Sequence, residues 1–368
     1  MVIYYILFFS IVVLGIGLKD TSIGFRLIHH RRITLFPIMV FILISLVEGL
    51  RSDVIGPDTW AYKDYFVNFF SHGWDFGVYS VTDELEIGFK VLNLIVADFT
   101  TEPQVLIFVI SVLIVGALVS FLWKTSSDFL ISILLFFGLN HFNTSMISLR
   151  QYLAMGIVLW AYPLLKDKKY KSALSCMILG ILFHQSAILF CVGLIGGQLL
   201  KKWRKSVWIV FAIEMLALPF TSVFLNIFRN VFEKYFLYYY NDANSVQLGK
   251  IPLILAGLKI IFLIYISLSD KFKSDEEITF EGIMISTSVF FSFLPIPYAW
   301  RMAFYFDFFL LLIIPDIFIK DRKHTENIML VKTIISVLCL VMFTYYLFTG
   351  NDFIPYKFYW QASHYLIY

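Results

Sequence analysis

The amino-acid sequence predicts an all-α, polytopic integral membrane protein of about twelve transmembrane helices, with an interfacial or re-entrant helix at the outer face. Composition is the first ground. Of the 368 residues, 60% are hydrophobic and 15% charged, and mean hydropathy is +0.80. Soluble domains sit nearer about 45–50% apolar and about 25% charged. Run length is the second ground: residues 105–122 and 334–347 are almost wholly apolar and carry no charge. A bilayer core takes about 20 such residues per helix. In lipid such a run is helical, because its backbone polar groups must be satisfied internally. The third ground is that these runs lack the period-two alternation of a membrane barrel strand.

The first run, 2–18, has no basic residue ahead of it, and Lys19 follows it. It reads as a retained span rather than a cleaved leader. Runs at 34–50, 104–123, 129–141, 149–165, 172–183, 186–200, 206–226, 252–269, 279–297, 302–319 and 328–348 complete the set. Short loops rich in Lys and Arg stay cytoplasmic. Four stand out, at 19–32 (Lys19, Arg26, Arg31, Arg32), 166–171 (Lys166, Lys168, Lys169, Lys171), 201–205 (Lys201, Lys202, Arg204, Lys205) and 320–323. Lys124, Lys271 and Lys273 are weaker members. All fall inside, with both termini outside, when an even number of crossings separates each pair.

Two segments depart from a plain bundle. Residues 86–99 are short, and counting them as a crossing inverts everything downstream, so they are expected to lie at the interface or re-enter. Residues 172–200 fit two arms of about 12–14 residues, each roughly 20 Å long. That is short of a hydrocarbon core of about 30 Å. The tip, His184-Gln185-Ser186, is expected below the outer surface in a protein-lined or water-filled cavity. A single tilted helix with a different topology is the rival reading. The chain reads as one transmembrane domain, 1–368, with outer loops at about 51–103 and 226–250. The first is acidic (Asp53, Asp58, Asp64, Asp75, Asp83, Glu84) and the second aromatic (Tyr235, Tyr238, Tyr239, Tyr240). Cys176, Cys191 and Cys339 lie in apolar runs without CxxC spacing and read as core residues.

Ionisable residues at or within spans are functional suspects. Arg51 follows the second span, Arg150 opens the fifth, His184 sits at the hairpin tip and Arg301 opens the eleventh. Outer-face arginines are what a bound anion needs, since the guanidinium fork makes bidentate bonds to phosphate. Each has a plainer reading: Arg51 as a snorkelling side chain, Arg150 and Arg301 as helix-end charges, His184 as a core histidine. Asp307 and Glu214 lie within spans, as proton-relay groups or partners of an intramembrane cation; Asp307 is expected to pair across helices. Gly56-Pro57 reads as a turn. Asp58 or Thr59 then caps a helix with Tyr62, Tyr65, Phe66 and Phe69 along one face. Scattered histidines and carboxylates give no metal-ligand spacing, and no Walker A, GxGxxG or GxSxG motif occurs. No metal, cofactor or nucleic acid is expected.

Taken in order, Arg51…Gly56-x-Asp58-Thr59-x-x-Tyr62, Glu86-x-Gly88-Phe89, Arg150-Gln151, His184-x-Ser186, Arg301 with Tyr305, and Pro355-Tyr356 resemble the EpsG-like family of Wzy-type polysaccharide polymerases. Pro57, Trp60 and Gln185 occupy variable positions of that pattern. The resemblance implies a glycosyltransferase that joins repeat units carried on undecaprenyl diphosphate. Its place would be the outer face of a bacterial cytoplasmic membrane, and its product capsule, exopolysaccharide or O-antigen. It implies membrane lipid, a flippase and a chain-length regulator as partners. Arg150 and Arg301, with Arg51, would hold the diphosphate, helped by Gln151, Tyr62 and Tyr305. His184 or Asp58 would deprotonate the acceptor, and Glu86 would orient a sugar or an arginine. Trp60, Trp74 and the tyrosines at 238–240 would offer sugar platforms. The alternatives are an O-antigen ligase, a lipid-linked oligosaccharide flippase, disfavoured by the absence of internal repeats, and a membrane O-acyltransferase.

Overall fold

The computed structural model describes residues 1–18, 34–73, 85–203, 205–220, 250–268, 276–294, 300–318, 325–350 and 353–361. Among these residues the regular elements are helical and there is no strand. An antiparallel bridge joins Arg51 and Phe358. The basic loops at 19–32 and 320–323, the residues Trp74 and Arg204, and the tyrosines at 235–240 lie outside the described residues.

Apolar runs become helices close to where the sequence places them: α1 Val2–Gly17, α2 Leu35–Gly49 and α5 Pro103–Thr125. Between them come α3 Thr59–His72 and α4 Ile87–Ala97. Helix α5, at 23 residues, starts with Pro103 in its first turn and is capped by the Glu102 carboxylate, which accepts from the Gln104 amide. Both features favour a helix start. Its length of about 34 Å suffices to cross a bilayer alone.

Several runs read as single spans are broken. Residues 129–141 resolve into α6 Phe129–Gly138 and α7 His141–Ile147, bent by 60°. Asn140 sits between them at φ 67, a left-handed conformation that asparagine tolerates. The run at 149–165 becomes α8 Leu149–Val158 and α9 Ala161–Lys166. Pro163, at the third position of α9, has no amide hydrogen to return to the α8 end. The hairpin appears as α10 Tyr170–Phe183 and α11 Ala187–Leu200, 14 residues each. Then come α12 Ser206–Ala217, α13 Lys250–Leu268 and α14 Glu276–Phe293. The run at 302–319 divides at Phe308-Phe309 into α15 Trp300–Asp307 and α16 Leu310–Phe318; no local residue explains that break. Helix α17, Thr325–Thr349, closes the helical part, and Ile328–Thr349 is the second segment long and apolar enough to span alone. The bent α6–α7 pair is a third if taken as one broken crossing, while the other apolar helices are shorter. Among the described residues there are thus several apolar helices, many of them short or broken, and the count of about twelve spans is not confirmed.

The described residues form two compact units. One comprises Met1–Ala187 with Ile314–Tyr368, the other Ile188–Ile313. In the first, α5 packs between α2 and α8, α8 packs on α10, and α4 touches α3, α5 and α10. In the second, α14 is central and packs against α12, α13 and α15. Helix α3 buries Tyr62, Phe66 and Phe69, spaced four and three apart, against α4 and α5. One face of it is therefore packed into the protein.

Candidate active site

Glu86 precedes α4 in extended backbone (φ −65, ψ 145) and points its carboxylate into the protein. Two residues on, Gly88 lies so close to α10 that a Cβ there would stand 2.8 Å from the Leu182 carbonyl oxygen. This contact brings Glu86 to the end of α10. There His184 leaves the helix (φ −161, ψ 123), so its ring is placed by a terminating backbone. His184 Nδ1 lies 2.7 Å from Glu86 Oε1, which also accepts the Gln185 amide at 3.3 Å. The other oxygen, Oε2, accepts from Arg150 Nη1 at 2.6 Å. Three residues from 86, 150 and 184 thus meet on one carboxylate. It is 8% exposed, Arg150 25% and His184 12%.

The electrostatics follow. Burial pushes against the charged carboxylate. The His184 hydrogen bond and the Arg150 charge lead the opposing effects and hold the Glu86 carboxyl at about 2, below its ordinary 4.5. Tyr62 packs edge-on to Phe89 at 5.6 Å and interacts with the Arg150 guanidinium. Burial raises the Tyr62 phenol, with the Arg150 charge opposing. The Arg150 Nε–H is buried with no acceptor among the described residues.

Arg51 takes a different part from the one expected. It has no exposed surface. Its Nη2 donates to the Met146 carbonyl at 3.0 Å, and its Nη1 to the Glu48 carbonyl and, at 3.4 Å, to Ser111 Oγ. It is not a side chain that snorkels toward solvent. Gly56 reinforces the same attachment: its φ is +80, and a Cβ would lie 3.0 Å from the Met146 oxygen. Met146 lies in α7, just before the Ser148 break (φ −96, ψ 60) from which α8 opens with Leu149 and Arg150. Arg51 and Gly56 therefore fix the stretch of chain that aims Arg150. Tyr356 completes this wall, donating its hydroxyl to the Val47 carbonyl at 2.8 Å.

The remaining expected residues have other surroundings. Asp58 stands at the start of α3, half-buried, but its side chain does not cap the helix; the Thr59 hydroxyl donates back to Ile55 O at 2.7 Å. Gln151 is buried. In the second unit, Tyr305 is buried in a stack on Phe190 at 5.4 Å, so its ring faces no solvent. Arg301 is half-buried, its guanidinium 5.8 Å from the Trp300 ring. Asp307 does pair across helices, with Lys259 Nζ at 2.7 Å, inside a ring completed by Ser288 and Ser292. Glu214 accepts from Ser286 Oγ at 2.7 Å. Lys259 and Glu48 escaped the sequence reading, although each is a lone charge inside an apolar run, the signal that singled out Asp307.

A model of the EpsG family matches residues 33–358. The chain belongs to the EpsG family. No match was found among curated proteins or among solved structures. The family range holds Glu86, Arg150 and His184 together with the Arg51 wall, and it ends at Phe358, the residue bridged to Arg51. Membership in the EpsG family points to a polymerase-like role in polysaccharide biosynthesis and to a membrane location.

Proposed function

We propose that this EpsG-family chain is a polysaccharide polymerase that transfers a glycan from undecaprenyl diphosphate onto a lipid-linked repeat unit, without a metal, at the outer face of a bacterial cytoplasmic membrane. The observation that carries the reading is the Glu86 carboxylate bound to Arg150 on one oxygen and His184 on the other. A neutral imidazole that donates Nδ1–H to a carboxylate carries its lone pair on Nε2. His184 Nε2 accepts the proton of the acceptor hydroxyl, whose oxygen attacks the anomeric carbon. The bond from that carbon to the diphosphate oxygen breaks, and the electron pair leaves with the diphosphate. Arg150, pre-positioned and carrying a buried Nε–H without an acceptor among the described residues, receives the developing charge. Diphosphate is already a good leaving group, so the scheme asks for no Lewis acid.

The orientation rests on α10. Its first residue follows the exposed Lys166, Lys168 and Lys169, and its far end carries His184, about 21 Å away. A basic loop inside puts the site toward the outside. A flippase and a chain-length regulator are proposed as functional partners.

The test is the length distribution of surface glycan with and without the chain. Deletion should leave single-repeat glycan at the surface, and restoring the gene should restore the ladder. Absence of all surface glycan after deletion would indicate a flippase and overturn the polymerase reading.

A further inference from the structure

Beyond the α17 helix, residues 353–361 run back across the loop that follows α2. The Ser52 amide donates to the Lys357 carbonyl and the Tyr359 amide to the Leu50 carbonyl, each at 2.9 Å. Tyr356 anchors the strap to Val47, and its ring packs edge-on to buried Tyr4 at 5.3 Å. The Phe358 amide is closed by Gln361 Oε1 at 3.0 Å. This short segment is thus pinned by bonds to its backbone and by the Tyr356 side chain, which leaves Phe358, Tyr359 and Trp360 for other work.

Tyr359 and Trp360 are exposed, and Phe358 is half-buried. Phe358 and Trp360 stack in parallel, centroids 4.5 Å apart and planes 6° apart. One face of Trp360 is covered by that stack, yet the residue is 58% exposed. Tyr359, 41% exposed, meets Trp360 at 83° and 4.9 Å. Two exposed rings at a right angle, on a backbone pinned beforehand, form a rigid apolar corner of low entropic cost to a ligand. Interfacial anchoring is the other common use of exposed tryptophan. It needs no pinned backbone and no supporting stack, whereas a platform for a flat ligand needs both.

We propose that the Phe358–Trp360 shelf is a saccharide-binding site, taking a pyranose ring of the glycan against the exposed surface of Trp360 and Tyr359. This rests on the polysaccharide reading above. It adds a subsite that the Glu86–Arg150–His184 cluster does not contain, one that grips glycan and takes no part in the chemistry.

The test uses the full-length protein in phosphatidylglycerol–phosphatidylethanolamine nanodiscs. It is titrated with oligosaccharides released by partial acid hydrolysis from the host's own surface polysaccharide. Trp360→Leu, which keeps an apolar side chain, should weaken binding by about tenfold, the size of one aromatic contact, while Trp360→Phe should stay within about twofold of wild type. In cells, Trp360→Leu should shorten the glycan ladder at unchanged protein level. Equal binding by the Leu variant, or no binding by wild type, overturns the shelf. Loss of protein from the membrane in Trp360→Leu with rescue by Trp360→Phe, at unchanged fragment binding, assigns the rings to anchoring and also overturns it. Fragment binding that depends on Trp360 in a chain that fails to restore any ladder leaves the shelf standing and sinks the polymerase reading instead.

Discussion

Glu86 and His184, 98 residues apart in sequence, meet at 2.7 Å, carboxylate oxygen to Nδ1. The same carboxylate holds Arg150, so one side chain sets the orientation of a base and of a cation. Glu86→Gln should therefore damage both functions at once. Chain growth should fall by about 100-fold or more, with the protein still present in the membrane. Ladder length on gels and an immunoblot of the same membranes check this. A near-normal ladder would dismiss the cluster as the catalytic centre.

Arg150→Lys keeps the charge but loses the planar fork that can serve Glu86 and a phosphate oxygen together. Turnover should drop by about 10-fold to 100-fold, and Arg150→Ala should abolish long chains. Purified protein with lipid-linked repeat units, assayed for product length, distinguishes the two variants.

Arg51 and Gly56 act at a distance, through the Met146 carbonyl. Gly56→Ala forces a Cβ into a left-handed backbone and against that oxygen. It should cost about 1–2 kcal/mol and lower turnover while KM for the lipid-linked donor moves little. Arg51→Ala leaves buried carbonyls without a donor and should destabilise by about 3 kcal/mol or more, seen as a lower Tm in detergent. An Arg51→Ala protein of normal Tm but greatly raised KM would restore Arg51 to the substrate.

The pH behaviour of Glu86 has a definite sign. Its folded pKa, about 2, lies below the ordinary 4.5. The stabilisation it brings is complete above the ordinary value and is lost as pH falls through the folded one. The contact with Arg150 should thus persist to about pH 3. Infrared difference spectra between wild type and Glu86→Gln should show an ionised carboxylate band down to that point. A protonated band at pH 6 would contradict the cluster.

Lys259 and Asp307 are buried together in the second unit. Either single change, Lys259→Met or Asp307→Leu, leaves a buried charge uncompensated and should destabilise by about 3–5 kcal/mol. The double variant should recover much of that loss. Thermal unfolding of the four proteins in one detergent tests the coupling. Additive losses would show the pair to be unlinked.

The helical membrane class was legible in composition and run length, because lipid leaves an apolar run no other way to satisfy its backbone. Helices α1, α2 and α5 fall within a residue or two of the predicted spans. Breaks were less legible. Asn140 at positive φ and the Phe308-Phe309 turn interrupt runs whose hydropathy continues across them. Arg150 and His184 were also visible, since a charge beside or inside an apolar run is costly, whereas Glu86 entered only through the family resemblance.

What the sequence determined alone was a set of expensive residues on a helical membrane chain. Which of them work together was decided by tertiary structure. The approach of Gly88 to Leu182 places Glu86 between Arg150 and His184, while Arg51, alike in sequence terms, is sealed within the wall behind them. The physical reason is that hydropathy reports whether a side chain lies near lipid. Close packing between elements far apart in the chain decides which neighbour it finds there.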